Sequence, residues 1–170
     1  MSGAIDPSPP TPLAGREGGK RVPESLITMS QFMLPVDANP SGNVHGGSIL
    51  KLVDSTAGVV AMRHCRTRVV TARLDEMSFL HPVYIGNLVT LKASVNDTGR
   101  TSLEVGVRVE AEDLATGETW HVGSAYVVFV ALDAAGRPTA VPPIIPETPD
   151  EIRRQAEARA RRHRRSRNGR

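Results

Sequence analysis

One cysteine, Cys65, stands among 170 residues, so neither an internal disulfide nor a cluster of thiolate metal ligands can hold the chain together. Aromatic residues make up only 4%, which argues against a stacking platform for single-stranded nucleic acid. The longest apolar run, AYVVFVAL at residues 125–132, falls far short of the ~20 residues of a membrane-spanning helix. The first residues, MSGAIDPSPPTPLAGREGGKRVPES, lack the apolar core of a signal peptide. Together these absences predict a cytoplasmic protein without a membrane span. The chemistry narrows in the same way. There is no Gly-x-Ser-x-Gly elbow and no Walker or dinucleotide fingerprint. The histidines are scattered without ligand spacing, so neither a metal nor a cofactor is expected.

What is present fits one soluble domain, with 39% hydrophobic and 23% charged residues. The pI near 9.5 is a property of one end. Residues 152–170 hold nine arginines and one glutamate, a local charge of +8 against +3 for the whole chain. Nucleic acid is therefore not an expected partner of the domain itself. The tail reads as a solvated helix followed by a disordered end. Binding to an acidic surface is its alternative use.

Residues 1–24 are rich in Pro and Gly and poor in large apolar side chains, so they are expected to stay mobile. The domain spans residues 25–146, and residues 147–170 form the basic helix and tail. SLITMSQFML reads as a first strand. From Gly46 to His64 the period changes: Ile49, Leu50, Val53, Ala57, Val60 and Ala61 recur at helical spacing. Alternation then returns in VVTARLDEMSF, LVTLKASVND, SLEVGVRVEAED and ETWHVGSAYVVFVAL. In the third of these, Leu103, Val105, Val107 and Val109 take the buried face, with Glu104, Arg108 and Glu110 opposite. DTGR and ATGE are turn signals that imply antiparallel hairpins. Near the end Thr148 is a candidate helix cap with Pro149 at the first position. The order is strand, helix, four strands, an α+β domain. One helix covers only part of one sheet face, so a homo-oligomer is expected from architecture alone.

The chemistry concentrates in NPSGNVHGGSILKLVDSTAG, Asn39 to Gly58. Each residue alone has a plain reading: two glycines at a sharp turn, a surface histidine at His45, a solvated acid at Asp54. The helical wheel sharpens the last of these. Asp54 falls beside Leu50 and Ala61 at the margin of the apolar stripe, where partial desolvation would make it a useful base. The amides of Gly46, Gly47 and Ser48 lie free at the positive end of the same helix, suited to an oxygen acquiring negative charge. An acid together with oxyanion donors suits acyl transfer. Cys65 beside His64 reads as a buried, inert thiol, because neighbours on a helix project in different directions.

The stretch above, with VVTARLDEMSFLHPVYIGNLVTLKASVNDTGRTSLEVGVRV and AYVVFVALDAAGRPTAVPPIIPETPDE, closely resembles the hotdog-fold acyl-CoA thioesterases. Within them it is similar to the group of YciA-type bacterial enzymes and vertebrate cytosolic acyl-CoA hydrolases. The resemblance runs from about Ser30 to Arg162. It implies a single hotdog domain: one long central helix wrapped by a curved antiparallel sheet of five to six strands. Such domains pair into dimers, commonly three to a hexamer. It also implies hydrolysis of an acyl-CoA of fatty acid metabolism to free CoA and a carboxylic acid, with CoA entering only as part of the substrate. Asp54 then matches the general base or nucleophile, and Asn39 the residue that holds water or thioester across the subunit interface. Gly46 and Gly47 match the carbonyl-polarising glycines, and His45 a loop-shaping residue. Arg100, Thr101 and Ser102 match a turn near the CoA moiety, with Thr71 on the substrate side. Arginines of the tail could also lie near the CoA phosphates of a neighbouring subunit. A non-catalytic acyl-CoA sensor and an enoyl-CoA hydratase share the fold and remain the alternatives.

Overall fold

The computed structural model describes residues 18–168. Its elements are β1 (Lys20–Arg21), β2 (Ile27–Phe32), α1 (Gly46–Cys65), β3 (Arg68–Phe79), β4 (Asn87–Thr98), β5 (Ser102–Asp113), β6 (Thr119–Leu132), β7 (Ile144–Ile145) and α2 (Pro149–Asn168). Five strands form one antiparallel sheet in the order β2-β4-β5-β6-β3, and β1 pairs with β7 in a small parallel ribbon. The predicted helix and all five long strands appear where the hydrophobic period places them. None of the described helices is long and apolar enough to cross a membrane.

α1 lies on one face of the sheet. Its stripe of Ile49, Val53, Ala57, Val60 and Ala61 is at most 1% exposed. It meets the alternate residues of three central strands, among them Leu91 of β4, Leu103 and Val105 of β5, and Phe129 of β6. The helix stops without a glycine: Arg66 adopts φ 58° and its amide donates to the Met62 carbonyl at 2.8 Å. Below that end a buried imidazole joins three segments. His64 is fully buried, donates from Nε2 to the Pro142 carbonyl at 2.8 Å, and accepts at Nδ1 from the Ser25 hydroxyl at 3.3 Å.

The two ends of the chain depart from expectation. Residues 1–17 lie outside the described residues, but residues 20–24 are ordered. Lys20 donates through its Nζ to the His64 carbonyl, and Val22 is 4% exposed in the core. The domain thus begins before Ser25. The larger correction concerns the tail, apart from residues 169–170, which are not described. α2 starts as expected: the Thr148 hydroxyl accepts from the Glu151 amide, and the Glu151 carboxylate accepts from the amides of Glu147 and Thr148. It then packs against the outer face of the sheet instead of standing in solvent. Arg161, Arg162 and Arg165 recur at helical spacing, and each meets an acid of the sheet. Arg161 grips Glu104 with its closest contact at 2.7 Å and lies 3.6 Å over the Tyr126 ring. Arg162 reaches Asp97 at 2.8 Å, and Arg165 reaches both Glu104 and Asp75. Glu104, expected in solvent, is 1% exposed because α2 covers it.

Two expected outcomes follow. Burial lowers the pKa of His64, so the unfolded chain binds its proton first. Unfolding free energy in urea should therefore fall as pH drops below about 6.5, well above the carboxylate range, and His64→Gln should flatten that segment of the profile. Arg161→Ala should cost about 3 kcal/mol, the low end for exposing one buried charge to no partner, because Arg165 still touches Glu104. Arg161→Met with Glu104→Gln should recover most of it.

Candidate active site

The loop before α1 is built around Asn39. Its side-chain oxygen accepts from the amides of Ser41 at 2.8 Å and Asn43 at 3.2 Å, an Asx turn, and its own amide donates to the Asn43 carbonyl. The turn needs Gly42, whose φ is 86°. With the oxygen engaged, only the carboxamide NH2 of Asn39 remains to face a ligand. Asn39 can hold a water or carbonyl oxygen as a donor, but it cannot accept a proton.

His45 turns out to be the cap of α1. Its Nδ1 accepts from the Gly47 amide at 2.8 Å, which leaves the ring proton on Nε2. Gly47 has no side chain because a Cβ would stand 2.9 Å from that nitrogen. The expectation of three free amides is corrected accordingly. Gly47 donates to His45 Nδ1 and Ser48 to the His45 carbonyl. The Gly46 amide is the one without such a partner among the described residues. A cleft of about 310 Å3 opens in front of it, lined by Asn39, Gly46, Ile49, Phe79, Leu80 and His81. Phe79, expected as packing, forms a wall of this cleft. A Cβ on Gly46 would lie 3.6 Å from its ring. The strand end bearing Phe79 is drawn onto β6 at Gly123, where any side chain would collide with the Ser78 carbonyl.

Asp54 is elsewhere. Eight residues of helix separate it from Gly46, an axial distance of about 12 Å. It is exposed, not tucked at a half-buried margin, because it faces the open edge of β3. Its Oδ1 accepts from the Thr71 hydroxyl at 2.8 Å, leaving Oδ2 to act. Register fixes what lies near. Thr71, Phe129 and Leu103 form one cross-strand row, so the turn at residues 99–102 sits at the same sheet end, two strand spacings or about 10 Å across. In that turn the Gly99 amide donates to the Ser102 carbonyl at 2.7 Å. Arg162 of α2 braces it, donating to the Thr98 carbonyl at 3.2 Å. The Arg100 side chain is exposed. At the other end Phe79 pairs with Gly123.

The candidate residues of one chain therefore fall into two groups, each a candidate half-site. Asn39, His45, Gly46 and Gly47 gather at one end of the β3 edge; Asp54, Thr71 and Arg100–Ser102 gather at the other. No cysteine lies in either group. The Cys65 thiol is buried, which pushes its pKa up to about 11, and the His64 ring is hydrogen-bonded to Ser25 and Pro142 instead.

Residues 41–118 match the model of the thioesterase superfamily. An uncharacterized acyl-CoA thioester hydrolase of Bacillus subtilis, YkhA, is 38% identical over 76% of this chain and 75% of its own. A hexameric acyl-CoA thioesterase solved without ligand superposes with a TM-score of 0.86 at 35% identity, covering 89% of this chain and 97% of that one. The acyl-CoA hydrolase of Staphylococcus aureus, solved with butyryl-CoA, CoA and CoA disulfide, gives 0.82 at 32% identity over 88% and 91%. Solved alanine variants of that enzyme replace an asparagine, an aspartate 15 residues after it and a threonine 17 residues after that. Asn39, Asp54 and Thr71 have the same spacing here.

The cap can be tested apart from any catalysis. His45→Ala should lose about 1 kcal/mol of stability in urea, the usual cost of deleting a side-chain cap. His45→Asn, which can accept from the same amide, should keep most of it.

Proposed function

The chain belongs to the thioesterase superfamily, and on that premise we propose that it hydrolyses acyl-CoA thioesters to CoA and a carboxylic acid at sites shared between two copies. The observation that carries this reading is the separation of the two half-sites. A thioester carbonyl must lie about 3 Å from its oxyanion donor and about 3 Å from the attacking water, which in turn lies about 3 Å from the acid that activates it, a span shorter than the roughly 12 Å of helix between Gly46 and Asp54. No carbonyl can satisfy the Gly46 amide and Asp54 of one chain. Two copies joined antiparallel along β3 about a twofold axis would set the Thr71 end of one against the Phe79 end of the other. Each pair then has two complete sites. Exposed Val70, Leu74 and Phe79 on β3, and Leu80 just after it, supply apolar surface for such a joint. Three such pairs would give a hexamer, the state named for one structural neighbour. Cytoplasmic work is the setting this reading implies.

In the reaction, Oδ2 of Asp54 takes a proton from water while Thr71 holds Oδ1 in place. The hydroxide attacks the thioester carbon. The carbonyl oxygen gains charge against the Gly46 amide at the positive end of α1, with the Asn39 NH2 as a second donor. Collapse expels the CoA thiolate, which is protonated by solvent or by the acid formed on Asp54. Arg100, at the turn on the Asp54 side, offers a guanidinium to CoA phosphate. The same spacing of Asn, Asp and Thr in the Staphylococcus aureus enzyme supports these three roles.

Thiol release from short, medium, long and aryl acyl-CoA substrates tests the proposal. Asp54→Ala and Asn39→Ala should each reduce the rate by a hundredfold or more, in line with the loss of a base or an oxyanion donor. Unfolding and refolding the two inactive variants together should restore about a quarter of wild-type activity, because random pairing gives half mixed dimers with one intact site of two. Undiminished turnover in Asp54→Ala, or no recovery on mixing, would overturn the composite site. Tight acyl-CoA binding without thiol release would favour a sensor instead.

A further inference from the structure

On the outer face of the sheet a second cleft, of about 300 Å3, opens between β4, β5, β6 and the first turns of α2. Its volume is at the lower end of that of small-molecule pockets. Four cations, Lys92, Arg108, Arg153 and Arg154, stand against three carboxylates, Glu110, Asp150 and Glu157, an excess of one positive charge. Lys92 and Arg108 stand directly opposite one another on β4 and β5, a pairing of like charges that destabilises a sheet unless an acid offsets it. One carboxylate, Glu110, meets both, at 2.6 Å from Lys92 and 2.7 Å from Arg108. The trio keeps one positive charge in excess. From α2, Arg153 is engaged by Asp150 and Glu157. Arg154 lines the cleft half-buried and has no ion pair among the described residues.

The floor is polar. Gly106 lies in register between Ser94 and Tyr126, and Ser124, whose hydroxyl is hydrogen-bonded to His121 Nε2 at 3.1 Å, lies opposite Arg108; the Asn96 carboxamide lies over the glycine. Glycine is required there because a Cβ would stand 2.6 Å from the Asn96 amide nitrogen. Asn96 itself, 4% exposed at the bulge of β4, lines the same cleft, and its Oδ1 has no hydrogen-bond partner. A buried acceptor without a donor is costly. Guanidinium, ammonium and hydroxyl donors lining one small cleft are the chemistry that recognises phosphate.

We propose that this cleft binds the phosphate of a small phosphorylated molecule, whose own hydroxyl or amino group reaches Asn96. Two sources share that chemistry: a separate phosphorylated metabolite, and CoA held by a neighbouring copy. None of these residues belongs to the proposed catalytic half-sites, so the phosphate site itself stands apart from the hydrolase reading and only the CoA source rests on it.

Isothermal titration of the full-length chain with inorganic pyrophosphate at low salt tests it. The expected result is saturable binding, one per chain, that weakens as ionic strength rises. Arg154→Ala should raise Kd tenfold or more, and Ser94→Glu, which puts a carboxylate into the cleft, should abolish binding. Arg167→Ala, on the same helix but about 20 Å further along, should leave Kd unchanged. Absence of saturable binding, or equal weakening by Arg154→Ala and Arg167→Ala, overturns the proposal. Competition by CoA identifies the substrate as the source of the phosphate, through its 3′-phosphate if 3′-dephospho-CoA fails to compete and through its diphosphate if that also competes; failure of both to compete identifies a separate metabolite.

Discussion

An α-helix advances 1.5 Å per residue whatever its sequence, and that stiffness governs this molecule. α1 carries at its start the amide that can polarise a carbonyl, and two turns later the acid that can activate an attacker. Burial of Ile49, Val53, Ala57, Val60 and Ala61 against the sheet fixes the helix in place, so neither group can move to the other. The loop around Asn39 and the hydroxyl of Thr71 serve this arrangement locally. One presents a carboxamide NH2 beside the amide; the other holds one oxygen of the carboxylate. What remains open is the edge of β3, which runs from one half-site to the other.

The outer face has a different basis. There the sheet buries Asp97 and Glu104, and such acids are tolerable only when paired. α2 supplies the partners. Four of the arginines that make the chain basic, Arg159, Arg161, Arg162 and Arg165, are thereby held by sheet acids, and one of them, Arg162, also braces the turn at residues 99–102. The positive tail is thus largely a structural counter-charge. Arg154, in the first half of the helix, is an exception.

Much of this was legible from residue order. Period 3.6 at residues 46–64 and period 2 in Leu103, Val105, Val107 and Val109 mark the elements, since each face must be buried by something. Thr148 and Pro149 mark the start of α2 for equally local reasons. Asn39, Asp54, Gly46 and Gly47 stood out because turn chemistry, a helix start and a lone acid fall within twenty residues. The misses share one cause: they depend on what lies far along the chain. Alternation says that Glu104 leaves the core side, but not that a helix fifty residues later will cover it. A helical wheel places Asp54 at the edge of a stripe, but not beside an unpaired strand. The arginine spacing at 161, 162 and 165 was visible, yet it acquires meaning only with the register of Asp97 and Glu104. His45 was hidden differently, because imidazole is an uncommon cap.

The edge of β3 is irregular. Its pairing with β6 shifts register between Thr71 and Arg73 and again between Leu74 and Glu76, so the strand bends twice within six residues. A flat foreign strand would meet such an edge badly, whereas a copy related by a twofold axis bends in the matching sense. Pairing of that kind also occupies the very edge it uses. In a pair so formed, growth by this route would terminate at two copies, and a strand that could have seeded a fibre would become a closed joint.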